Sequence, residues 1–108
     1  MTRAVWLADG AARDLDELYA DAYGRGGPVA ADRFLDRIQV SFAHLAEGTR
    51  VGQRLPELER LGLDDGRVLR DGDLRLVYRL RESDAVVALI ARDGRSMQSL
   101  LQRRTLDT

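Results

Sequence analysis

The chain has 108 residues, of which 44% are hydrophobic and 32% charged, and this size and composition predict one globular domain over residues 1–108. It contains no cysteine, which excludes disulfides, cysteine-ligated zinc and a thiol nucleophile. No apolar run approaches the roughly 20 residues that cross a bilayer. A single histidine offers little for a metal site, so we expect neither metal nor cofactor, and a cytoplasmic location.

The net charge of −1 conceals an uneven distribution. Residues 1–47 carry five Arg and eight acidic residues, whereas residues 48–108 carry twelve Arg and ten acidic residues. Every basic residue is Arg, whose planar, permanently charged guanidinium suits carboxylates and phosphates. The local clustering of these arginines therefore matters more than the total charge.

The first half predicts a strand and a helical hairpin. Residues 3–8 alternate as a short strand that includes Trp6, expected in the core or at a sheet edge, and Asp9 is a candidate helix cap. Apolar residues at helical spacing predict helices over residues 11–23 and 29–46, and a Gly/Pro turn lies between them. The first helix carries Leu15, Leu18, Tyr19 and Ala22, and the second carries Phe34, Leu35, Ile38, Phe42 and Leu45.

The second half predicts a connector followed by three strands. Residues 47–66 are rich in Gly, Pro and charge, with Leu55, Leu58 and Leu61 spaced for one helical turn. Residues 67–91 then read as strand, turn, strand, turn, strand. Along residues 74–81, Leu74, Leu76, Tyr78 and Leu80 alternate with Arg75, Val77, Arg79 and Arg81, which predicts one core face and one face toward solvent or a partner.

Residues 85–91 are apolar throughout and predict the centre of the sheet. A last helix is expected over residues 96–105, with Met97, Leu100 and Leu101 on one side. The fold class is thus α+β: a small twisted antiparallel sheet packed against an N-terminal helical hairpin, with a short C-terminal helix.

Three stretches carry a resemblance to a known family: LPELERLG in the connector, RVLRDGDLRLVYRL in the sheet, and ARDGRSMQSLLQRR at the end. Together with the helical hairpin, they make the chain similar to the RelE/ParE superfamily, toxins of bacterial type II toxin–antitoxin modules also called plasmid stabilisation proteins. The final stretch resembles the turn and short helix of the ParE-like branch. The resemblance implies the fold predicted above and an antitoxin that wraps and neutralises the toxin.

Members of the superfamily divide by target, and the resemblance leaves three functions open. ParE-like toxins poison DNA gyrase, and RelE-like toxins cut mRNA on the ribosome. A third alternative is a non-toxic relative that only binds an antitoxin. For a nuclease, the resemblance implies Arg67, Arg75 and Arg95 around the scissile phosphate.

Metal-independent RNA cleavage also needs groups that transfer protons. After Asp93 the chain has no Tyr, His or Lys where RelE-like enzymes place such a group, and Arg is a poor proton shuttle because its pKa exceeds about 12. The pI of 5.8 also does not favour a ribosome-bound protein. We therefore expect a ParE-like gyrase toxin without an active site of its own.

The same arginines are then expected to form a partner-binding surface. Residues 67–81 contain five Arg and two Asp, although such arginines also occur as solvated surface residues in weak ion pairs. On this prediction Arg75→Ala weakens toxicity more than Arg13→Ala. The expected partner-binding residues are Arg67, Arg70, Arg75, Arg79, Arg95, Met97, Leu100 and Leu101.

Overall fold

A computed structural model of the chain describes residues 2–54, 59–60 and 66–92. The elements in these residues are β1 (Ala4–Leu7), α1 (Asp9–Glu47), β2 (Gly66–Asp71), β3 (Leu74–Leu80) and β4 (Asp84–Arg92). They form one four-stranded sheet with helical packing on one face, which confirms the α+β class. The expected helical turn at Leu55, Leu58 and Leu61 and the expected C-terminal helix lie outside the described residues.

Helix α1 is a hairpin of two arms that meet at Gly27. A straight helix of 39 residues would be about 58 Å long. Instead, Gly27 adopts φ 72° and ψ −162°, a conformation open to glycine, and Pro28 begins the second arm. The backbone N–H of Arg3 donates to the carbonyl of Ala46 at 2.8 Å, so the second arm ends beside the start of β1. The predicted hairpin is confirmed, although Asp9 is the first helical residue and not its cap.

The first arm runs along β4. The backbone N–H of Ile90 donates to Asp14 Oδ2 at 3.0 Å, and two turns further on Asp21 Oδ2 lies 3.8 Å from Arg92 Nη1. The tip of the helical hairpin therefore lies at the end of the sheet where β4 finishes. Within the described residues, no helix is both long and apolar enough to span a membrane.

The strand order is β1-β4-β3-β2, so the strands predicted from residues 67–91 are neighbours and β4 is internal, as expected. The pairs β2–β3 and β3–β4 are antiparallel, but β1 pairs with β4 in parallel. The sheet is therefore mixed, and the expectation of a purely antiparallel sheet is wrong in this detail. The cause is the helical hairpin, which returns the chain to the end of the sheet where β1 begins. Strand β2 therefore runs in the same direction as β1, β3 runs in the opposite direction, and β4 again runs in the direction of β1.

Both faces of the sheet are buried at their centre. On the face toward α1, Leu74, Leu76 and Tyr78 pack with the helical residues Phe34 and Ile38. On the opposite face, a cross-strand row formed by Val68, Val77 and Leu89 is 4%, 1% and 2% exposed. The prediction that this second face meets solvent is wrong at its centre, because the alternation in β3 alone did not reveal the apolar neighbours that β2 and β4 supply.

Strand β1 forms one edge of the sheet. Trp6, expected in the core or at an edge, lies on this edge strand and is 59% exposed. Val5, on the other side of the strand, packs against the core beneath α1. The sheet is thus anchored at this edge by Val5 and leaves the indole at the surface.

Candidate functional site

The arginines of β2 and β3 are divided between the two faces of the sheet. Arg75 and Arg79 alternate with the core residues of β3 and lie on the face away from α1, and Arg70 is the cross-strand partner of Arg75. Arg67 is the cross-strand partner of Tyr78, which belongs to the core beneath α1. The structure therefore brings Arg70, Arg75 and Arg79 to one face and places Arg67 on the other.

Arg75 is more enclosed than its alternating pattern predicted. It is 7% exposed, and its Nη2 donates to the backbone carbonyl of Arg92 at 3.2 Å. Arg70, directly opposite, is exposed. Two cations in directly opposite positions repel each other unless an anion lies between them. The accessible cationic group of this pair is thus Arg70, with Arg75 beneath it, and their combined charge favours an anionic contact on this face.

Arg67 has a structural contact on the opposite face. Its Nη1 donates to the carbonyl of Gly52 at 3.2 Å, and the N–H of Gly52 donates to the buried hydroxyl of Tyr78 at 2.8 Å. Backbone hydrogen bonds between Gln53 and Val68 extend this contact along the outer side of β2. These bonds hold the connector against the sheet, and the burial of Tyr78 confirms the prediction that it lies on the core face of β3.

The residues expected around a scissile phosphate are not brought together. Arg67 and Arg75 lie on opposite faces of the sheet, and the position of Arg95 lies outside the described residues. The hydroxyl of Tyr78 is buried and bonded to Gly52, on the face opposite Arg75. His44 lies on α1, where its Nδ1 is 2.7 Å from Thr49 Oγ1. None of these groups stands beside Arg75 as a proton donor or acceptor.

The turn between β2 and β3 is fixed to the second arm of α1 by contacts that sequence reasoning missed. Arg37 Nη2 donates to the carbonyl of Asp71 at 2.9 Å and to Asp73 Oδ1 at 2.7 Å, while Ser41 Oγ donates to Asp71 Oδ2 at 3.0 Å. The hydrogen bond from Arg37 is the main reason that the pKa of Asp73 is lowered, and the positive charge of Arg37 acts in the same direction. The residues are more than 30 positions apart, and no local pattern indicates their contact.

The expected partner-binding surface extends beyond the described residues. Arg95, Met97, Leu100 and Leu101 lie outside the described residues, and their role stays a prediction. In residues 2–54, 59–60 and 66–92, no cluster of three or more histidine or acidic side chains is arranged to hold a metal ion. The described part of the site therefore consists of the arginines Arg70, Arg75 and Arg79 on one face of the sheet, suited to binding an anionic surface.

The chain is similar to known proteins in sequence and in fold. Residues 5–98 match the family described as ParE toxin of type II toxin-antitoxin system, parDE. Among solved structures, the chain resembles one of the chromosomal ParDE toxin–antitoxin system from P. aeruginosa, with 18% identity and a TM-score of 0.62 over 84% of this chain and 96% of that one. It also resembles one of the RelBE2 toxin–antitoxin complex from Mycobacterium tuberculosis, with 24% identity and a TM-score of 0.60 over 85% and 99% of the two chains.

No curated protein sequence matches the chain. The family match nevertheless spans most of the described residues, and the α+β class with its helical hairpin agrees with the fold that the resemblance implied. The chain therefore belongs to the ParE toxin family of type II toxin–antitoxin systems.

Proposed function

We propose that this toxin inhibits growth by binding DNA gyrase and stabilising a harmful gyrase–DNA state, and that a cognate antitoxin neutralises it in the cytoplasm. The observation that carries the proposal is the division of the arginines between the two faces of the sheet. Arg67 and Arg75, which a nuclease would need at one phosphate, are on opposite faces, and Arg67 is engaged with Gly52. This arrangement supports a binding surface in preference to a catalytic centre.

The surface that we assign to the target is the face bearing Arg70, Arg75 and Arg79. Arg70 is exposed there, and the burial of Arg75 beside it holds a second positive charge in a region of reduced solvent screening. Such a surface attracts an acidic or phosphate-bearing partner. We propose that the target also contacts the end of the chain, through Arg95, Met97, Leu100 and Leu101.

A cognate antitoxin is the second partner. Both solved structures described above come from toxin–antitoxin systems, which supports such a partner here. An acidic antitoxin segment that covers Arg70 and Arg79 would neutralise the charges that contact the target. Antitoxin binding and toxicity would then exclude each other by competition for one surface.

The direct test is a cleavage assay with purified toxin, DNA gyrase, ATP and supercoiled plasmid, stopped with detergent and protease. We expect linear plasmid to accumulate with toxin and to disappear when antitoxin is added first. Arg70→Gln should require about tenfold more toxin, because it removes one charge-assisted contact of the kind that contributes about 1.5–3 kcal/mol. Arg13→Gln, on the exposed side of the first helical arm, is the matched control and should not differ from the unsubstituted toxin.

Expression of the toxin alone in a bacterial host distinguishes gyrase poisoning from mRNA cleavage and from antitoxin binding without toxicity. A DNA-damage response with intact transcripts agrees with the proposal. Ribosome-dependent cuts in translated messages without DNA damage would contradict it and establish the RelE-like alternative. Normal growth of cells in which the chain still copurifies with an antitoxin would contradict toxicity itself and leave an antitoxin-binding relative.

A further inference from the structure

A concave surface lies at the tip of the helical hairpin, on the side of the sheet that α1 covers. It is a groove of about 530 Å³ between the two arms of α1 and the end of β4. It is lined by four arginines, Arg25, Arg33, Arg37 and Arg92, and by apolar residues that include Val29 and Phe34. The sheet arginines assigned to the target are not among its lining residues, so this groove is a separate feature.

The positive charge of the groove is only partly compensated. Asp21 lies 3.2 Å from Arg25 Nε and 3.8 Å from Arg92 Nη1, so one carboxylate serves two guanidinium groups. Asp73 pairs with Arg37. Among residues 2–54, 59–60 and 66–92, the four arginines of the groove form ion pairs with two carboxylates, which leaves an excess of two positive charges in this set.

Two of the four arginines have unused donors. Arg92 is the most enclosed, with 28% of its side chain exposed, and its buried Nε has no hydrogen-bond partner among the residues that the structure describes. A buried N–H of a charged group is costly to leave unsatisfied. Arg33 is exposed, and within the described residues no hydrogen bond or ion pair engages it. The groove therefore offers donors both at its wall and at its rim.

We propose that this groove binds a nucleoside phosphate. Guanidinium groups hold phosphate oxygens in bidentate contacts, and the exposed Arg33 and the enclosed Arg92 supply donors for them, while Arg37 stays paired with Asp73 and adds its positive charge. The apolar part of the lining, which includes the exposed Val29, offers the base a surface, and the volume lies within the range of small-molecule sites. The buried Nε of Arg92 favours a compact ligand that enters the groove over a peptide that crosses its rim.

The proposal is tested by calorimetry on the full-length toxin with ADP, inorganic pyrophosphate and adenosine, each without divalent metal. We expect ADP to bind with a Kd of about 1 mM or tighter, pyrophosphate to bind more weakly, and adenosine to give no measurable heat. Arg33→Gln should weaken ADP binding about tenfold, since it removes one charge-assisted contact. Arg13→Gln, outside the groove, should leave the affinity unchanged.

Arg92→Gln is a second variant, compared with the unsubstituted toxin only after thermal melting shows that it folds. It should weaken ADP binding at least as much as Arg33→Gln does. Absence of ADP binding, or an equal effect of Arg33→Gln and Arg13→Gln, would refute the site. A glutamate-rich peptide that binds this groove more tightly than ADP would refute the ligand class. Gyrase takes no part in this assay, so its result is independent of the proposed target.

Discussion

The hydrogen bond between the connector and the sheet can be removed without disturbing the packing around it. Tyr78 is 1% exposed, and its hydroxyl accepts the backbone N–H of buried Gly52 at 2.8 Å. In Tyr78→Phe the ring remains in the core, but the N–H of Gly52 loses its acceptor in a place that water does not reach. A buried donor left without a partner costs about 1–3 kcal/mol.

The size of this effect is measurable. In a domain of roughly 100 residues, each 1 kcal/mol corresponds to about 4 °C in Tm, so Tyr78→Phe should lower Tm by about 4–12 °C. Urea unfolding followed by circular dichroism should show a lower midpoint with an unchanged slope, because the surface exposed on unfolding is nearly the same. Both measurements are made on the toxin separated from its antitoxin, since a bound partner would add its own stabilisation.

Tyr23→Phe is the matched control. Tyr23 lies on α1 and is 51% exposed, so loss of its hydroxyl should change stability by no more than about 0.5 kcal/mol. The reasoning fails if Tyr78→Phe is as stable as the unsubstituted chain. It also fails if the two substitutions are equally destabilising, because the hydroxyl of Tyr78 would then have no special role in holding the connector.

Two further predictions concern a close backbone contact and a titrating ion pair. Gly52→Ala should lower the free energy of unfolding by about 1–3 kcal/mol, because a Cβ there would lie 2.6 Å from the carbonyl oxygen of Val68. Gly24→Ala, at an open helical position, is the control and should raise the free energy of unfolding by about 0.5–1 kcal/mol. Equal effects of the two substitutions in urea unfolding would contradict the contact. The hydrogen bond from Arg37 lowers the pKa of Asp73 below 3.8, so ionised Asp73 stabilises the fold above this value, and the contribution is lost as pH falls through the lower folded-state pKa. Asp73→Asn should therefore cost at most about 1 kcal/mol at neutral pH and nothing in strong acid, and a stability difference that does not change with pH would exclude the ion pair as its cause.

The helices and strands followed from local periodicity. Apolar residues at helical spacing predicted both arms of α1, and the Gly/Pro turn predicted their reversal, because few residues other than glycine adopt the conformation found at Gly27. Strict alternation predicted β3, and the continuous apolar run predicted the internal position of β4. These features depend on residues that are close in the chain, where side-chain pattern and backbone geometry are directly linked.

The division of the arginines between the two faces depended on strand register. A shift of one residue in the β2–β3 pairing would move every side chain of β2 to the other face. The observed register pairs Arg67 with Tyr78 and Arg70 with Arg75, and this pairing separates Arg67 from Arg75. Alternation within one strand indicates which residues share a face of that strand, but it does not align two strands.

The amino-acid sequence by itself therefore determined the α+β class, the hairpin, the four strands and the family resemblance. Only the tertiary structure decided that β1 is parallel to β4, that Arg75 is buried, and that Arg92 joins three helical arginines around one groove. Each of these depends on contacts between segments that are far apart in the chain. The geometry of these contacts is set by the packing of the whole domain, and the residue pattern within one segment does not specify which distant segment it will meet.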